Sequence, residues 1–169
     1  MAVTGGIGYQ HFLAILSGII LGLILVAAGV GKILHPAAIL DVFFNYFPRF
    51  TPFFLTSAFT DAILVWLPRA ELVIGVLLIT GVLVRLMSAL ALLLVAGFTA
   101  NNIWLLNHGQ GHNPCGCFGT EEILGITLTN TTALYLDIAM VILALASAFY
   151  YRGNFVNIYP WFIRRGENG

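Results

Sequence analysis

Charged side chains are scarce in this sequence: Asp, Glu, Lys and Arg make up 8% of its 169 residues, while 60% are hydrophobic. Too little polar surface is available to clothe a water-soluble body, and a mean hydropathy of +0.97 makes lipid the solvent. An excess of either sign of charge is missing as well. Seven basic and seven acidic residues cancel to a formal net charge of zero, so no basic stripe exists to grip a phosphate backbone, and nucleic-acid binding is excluded. A basic leader is also lacking. The first apolar run, Phe12 to Leu34, has no Lys or Arg before it and outlasts a signal-peptide core, so it is expected to stay as a first span rather than be cleaved. Cysteine is limited to Cys115 and Cys117.

What is present is long apolar stretches. A membrane helix needs roughly 20 apolar residues, so four spans with their connections account for the chain, leaving no room for a separate soluble domain. The expectation is an all-α fold: a four-transmembrane-helix bundle forming one integral membrane domain over residues 1–169, with spans at about 12–34, 62–84, 86–107 and 128–151. In the first span, Gly18 and Gly22 form a small-xxx-small pair suited to close helix contact. His35-Pro36 ends that span, because the residue before a proline is pushed out of the helical region. The segment PAAILDVFFNYF that follows reads as a short amphipathic helix at the membrane interface, with Asp41, Asn45 and Tyr46 among its aromatics and Arg49 just beyond. Thr51-Pro52 then signals a helix start, and the pattern up to Val84 is interrupted at Pro68-Arg69-Ala70-Glu71. One kinked helix or two shorter ones both fit.

Basic residues accumulate on the cytoplasmic side of membrane proteins. With both termini inside, the inner side holds Arg85, Arg152, Arg164 and Arg165, and the outer side holds Lys32 and Arg49, with Arg69 near the edge. Between Arg85 and Arg152 there is no Lys or Arg at all. The polar loop HGQGHNPCGCFGTEE in that interval is therefore expected to face outward. A separate span over Phe53 to Leu67 would flip the first span and its terminus, while the C-terminal half stayed as placed.

Both cysteines lie in that loop, one glycine apart. A disulfide between them closes a ring of about eleven atoms, and disulfide geometry is demanding. Such a bond is tight and therefore exchangeable, more suited to oxidising a partner than to stapling a fold. Gly116 and Gly119 allow the sharp turn it needs. Disulfide chemistry also belongs on the oxidising side, where the loop is expected. The plainer alternative, cysteines as small packing residues, suits an apolar span better than a polar loop. A rival of another class is metal binding through His108, His112, Cys115 and Cys117, which together supply four borderline-soft ligands. Their spacing matches no common tetrahedral finger, so no metal ligand is assigned.

Three further residues stand out because they are ionisable and lie in or against apolar helices. Glu71 is a partner for Arg69 or Arg85, or a proton carrier near a bound quinone. Asp137 is either functional or an inward-facing partner for Asn101, Asn102 or Lys32. Lys32, at the end of the first span, can snorkel to the interface.

The succession AAGVGKILHPAAI, LPRAELVIGVLLITG and NPCGCFG resembles the DoxX-type small membrane proteins, and specifically their MauE-like branch, over roughly residues 15 to 150. The resemblance implies a four-helix membrane protein of the bacterial inner membrane. The name-giving members are associated with maturation of methylamine dehydrogenase, whose small subunit is rich in disulfides, and are thought to act with a periplasmic thioredoxin-like partner. By this resemblance Cys115 and Cys117 match the redox pair, while Lys32 and Glu71 match recurrent positions of unassigned role. A wider analogy, to four-helix membrane oxidases that pass thiol electrons to quinone, is one of fold alone.

The function expected is thiol–disulfide exchange at Cys115 and Cys117 with a periplasmic thioredoxin-like protein or a disulfide-bearing client, with quinone as candidate acceptor. Which cysteine attacks and which way electrons flow stay open. The alternative is a non-enzymatic scaffold subunit of a larger membrane complex, its His/Cys loop serving as a binding or metal-clamping element.

Overall fold

A computed structural model of the chain describes residues 5–34, 57–112, 115 and 128–150, with side chains placed from Phe12 in the first helix and from Val65 in the second. The described residues form four helices: α1 (Gly5–Leu34), α2 (Ser57–Thr80), α3 (Val84–Asn107) and α4 (Asn130–Tyr150). No strand is found among them. Three segments, Phe12–Leu34, Val84–Asn107 and Asn130–Tyr150, are long and apolar enough to cross a membrane. Among the described residues, helix α2, which carries Arg69 and Glu71, is not one of these segments. The expected interfacial helix after α1 lies outside the described residues.

The helices run alternately up and down and pack in a ring. Helix α1 packs against α2 and α4, and α3 packs chiefly against α4 and more sparingly against α2. The first contact depends on glycine. A Cβ on Gly22 would come 2.6 Å from the Gly75 carbonyl oxygen, and one on Gly75 would come 2.7 Å from the Gly22 carbonyl oxygen. Removing both side chains lets the two backbones touch, which is how helices associate where lipid supplies no hydrophobic drive between them. Gly29 continues the seam against the Pro68 carbonyl. The Gly18/Gly22 pair does not serve one partner: Gly18 faces Ser147 of α4 whereas Gly22 faces α2.

Pro68 sits inside one continuous α2, so the interrupted pattern there is a single helix. That helix stops at Thr80, a few residues before Arg85. Gly81 takes a left-handed φ of 74°, its N–H donates to the Leu78 carbonyl, and the Val82 N–H donates to the Leu77 carbonyl. This Schellman-type ending satisfies the last carbonyls and reverses the chain. Leu83, also left-handed at φ 51°, leads directly into α3, which therefore already contains Arg85 in its first turn.

The interior divides into two halves along the bundle axis. Toward the α2–α3 turn it is apolar, built from Ala14, Leu21, Leu25, Ile74, Leu78, Val84, Met87, Ala91, Val95, Met140 and Ala144, with one polar stitch, the Ser88 to Ser147 hydroxyl bond at 2.8 Å. Toward the other end, where α1 and α3 finish and α4 begins, it is polar. Large apolar side chains such as Leu23, Trp66, Leu93, Ile142 and Phe149 point outward, as they must if lipid surrounds the bundle.

Candidate functional site

Each helix sends a polar or charged side chain into the polar half, and α4 buries Asn130 there besides. Lys32 comes from the last turn of α1, where the helix dipole favours a cation. Glu71 comes from α2, one turn after Pro68. Asn102 comes from α3, and Asp137 from the second turn of α4. All four are buried, with Lys32 7%, Glu71 0%, Asn102 2% and Asp137 5% exposed.

The Lys32 ammonium donates to Glu71 Oε1 at 2.5 Å and lies 4.5 Å from the centre of the Phe98 ring. The ring face offers its negative quadrupole to the cation, an interaction that strengthens away from water. Asn102 Nδ2 donates to Asp137 Oδ2 at 2.8 Å. Among the described residues Glu71 Oε2 is buried without a hydrogen-bond partner.

These positions sort the sequence-based readings. Lys32 does not snorkel to the interface; it turns inward, because a carboxylate within reach outweighs solvation at the helix end. Glu71 pairs with neither Arg69 nor Arg85 but with Lys32, since Arg69 points outward over the Trp66 ring and Arg85 lies at the opposite end of the bundle. Of the partners considered for Asp137, Asn102 makes the hydrogen bond, while the Lys32 ammonium is bonded to Glu71. Phe98 was not foreseen. Its signal was its place one helical turn before Asn102, on the same face of α3.

The cysteine loop leaves the same end of the bundle. Helix α3 closes with the Gly109 N–H donating to the Leu106 carbonyl and the Gln110 N–H to the Leu105 carbonyl, Gly109 being left-handed at φ 77°. The loop base is then sewn to the start of α4. Asn130 Nδ2 donates to the Gln110 carbonyl, and the Thr131 hydroxyl and N–H both donate to the Gly111 carbonyl. Farther along, the Cys115 N–H donates to the Leu128 carbonyl at 2.7 Å. Cys115 is disulfide-bonded, and Cys117 lies outside the described residues. Of the two histidines near it, His108 stacks on Trp104 and donates from Nδ1 to the Trp104 carbonyl at 2.8 Å, while His112 is exposed. Among the described residues no three His, Cys, Asp or Glu side chains gather as a metal site would require.

The family model described as methylamine utilisation protein MauE matches residues 10–150, an interval that contains α2, α3, α4, most of α1 and the cysteine loop. No curated protein and no solved structure matches the chain.

Proposed function

The chain belongs to the MauE family, named for methylamine utilisation, and from that premise we propose that it is a multi-pass thiol–disulfide exchange protein of the bacterial inner membrane. All four helices span the bilayer in this reading, α2 included. Its buried charge, Glu71, faces the interior, where Lys32 compensates it, and its contact with α1 is a glycine seam of the kind used between spans. The cysteine loop faces the periplasm, consistent with an interval free of Lys and Arg from Arg85 to Arg152.

Cys115 and Cys117 carry the chemistry. A thiolate of a thioredoxin-like partner or client attacks the pair's disulfide; one S–S bond breaks and a mixed disulfide forms. A second thiolate of the partner then displaces this protein's cysteine, leaving the partner oxidised and the pair as a dithiol. Reoxidation passes two electrons and two protons to a membrane quinone. The same steps run backward if the pair reduces its client. The observation that carries the reading is the setting of Cys115, disulfide-bonded and held at the mouth of the bundle by its N–H to Leu128.

A redox equilibrium tests it. Full-length protein in nanodiscs, held in graded dithiothreitol buffers and then alkylated, should convert between a disulfide and a dithiol form with one two-electron midpoint. A pair that stays oxidised in all but denaturing reduction would be structural, and the scaffold reading would replace exchange.

A further inference from the structure

Helix α2 turns one stripe of side chains away from the bundle: Val65, Trp66, Arg69, Val73 and Val76 are exposed and follow one another at helical spacing. Arg69 is the one charge among them. Two positions on, Glu71 points the other way, into the interior, where Lys32 meets it. The two charges of this turn therefore face different surroundings, Glu71 the protein and Arg69 the lipid.

A guanidinium stays ionised at physiological pH and carries five N–H donors in a planar fork. Among the described residues the Arg69 guanidinium meets the Trp66 ring, 5.8 Å from Cζ to the ring centre, and the one ion pair is that of Lys32 with Glu71. A ring face attracts the cation but does not saturate the fork. Hydrocarbon offers the remaining donors nothing, and an arginine left bare in it is costly. The acceptors that lipid does supply are the phosphate oxygens of its headgroups, which a planar fork matches with two parallel bonds. Trp66 sets the level, since an indole favours the headgroup region. A long side chain on a helix leans toward the helix N-terminus, and the N-terminus of α2 lies at the end from which the cysteine loop leaves. Arg69 thus reaches back over Trp66 toward the headgroups of that leaflet.

We propose that Arg69 and Trp66 form a binding site for the phosphate of an anionic glycerophospholipid on the outer face of α2, the guanidinium taking the phosphate and the indole holding the guanidinium in place. An anionic headgroup is preferred to a choline one, because the choline carries its own cation beside the phosphate and repels Arg69. The site rests on the reading of α2 as a lipid-facing span and not on the cysteine chemistry.

Native mass spectrometry of the full-length protein in detergent, with phosphatidylglycerol or phosphatidylcholine titrated in, tests this. The wild type should hold a first phosphatidylglycerol more tightly than a first phosphatidylcholine. Arg69→Gln should weaken phosphatidylglycerol binding roughly tenfold, the loss of one charge-assisted contact, and leave phosphatidylcholine binding unchanged. Arg69→Lys, which keeps the charge and loses the fork, should fall between. Equal affinity of the wild type for the two lipids, as when an acidic side chain of the chain itself occupies the guanidinium, would overturn the proposal without any variant. So would wild-type affinity in Arg69→Gln. Quenching of Trp66 fluorescence by brominated lipid, in a variant carrying Trp104→Phe and Trp161→Phe, distinguishes failure of the site from failure of the span. A quenched Trp66 with no lipid preference overturns the site alone, whereas an unquenched Trp66 overturns the site and the span together.

Discussion

Lys32 and Glu71, 39 positions apart in sequence, meet as an ion pair inside the bundle and join the end of α1 to the middle of α2. The pair is costly to bury and costlier to break. Removing one partner leaves a bare charge in a dry interior, a loss of roughly 3–5 kcal/mol, whereas replacing both with apolar groups of similar volume is close to neutral. Lys32→Met and Glu71→Leu should therefore each lower the thermal midpoint of the detergent-solubilised protein sharply, and the double variant should recover most of the loss. Additive losses in the double variant would mean that the two residues act independently.

The α1–α2 seam makes an opposed prediction for two glycines. A Cβ at Gly22 has no room against the Gly75 carbonyl, while a Cβ at Gly97 meets nothing within 4 Å. Gly22→Ala should destabilise by about 1–3 kcal/mol, as overpacked sites do. Gly97→Ala should stabilise by about 0.5–1 kcal/mol through helix propensity. Thermal unfolding monitored by size-exclusion fluorescence separates the two, and equal effects would place the close approach elsewhere.

Orientation is checked on intact cells. After mild reduction, a membrane-impermeant maleimide should label Cys115 and Cys117 without opening the inner membrane. Labelling that appears only in inverted vesicles would put the loop in the cytoplasm, where a stable disulfide is not expected.

The helices were legible because apolar runs of this length have one outcome in lipid. Their pairing was less so. A helix that is apolar all round gives no periodic signal of which face meets which neighbour, and the Gly18/Gly22 spacing marked closeness without revealing that the two glycines face different helices. The polar residues carried more. Asp137 was recognisable as an intramembrane acid, and its bond to Asn102 was among the partners foreseen. The Lys32–Glu71 pair was missed because nearer arginines flank Glu71 in sequence, and only the antiparallel register of α1 and α2 brings Lys32 closer in space. The end of α2 at Thr80 was written in Gly81, whose left-handed φ closes the helix before Arg85 is reached.

Thiol exchange must pass through a mixed disulfide, and the short spacing of the two cysteines makes that species transient, because the second resolves it by attacking the first. Cys115→Ser and Cys117→Ser, expressed separately in native membranes, test the exchange most directly. One of them should accumulate a reducible, higher-mass adduct containing a thioredoxin-like or disulfide-bearing protein, and the double variant should show none. Absence of any adduct from both single variants, with the host phenotype retained in each, would contradict thiol exchange and leave the chain a scaffold.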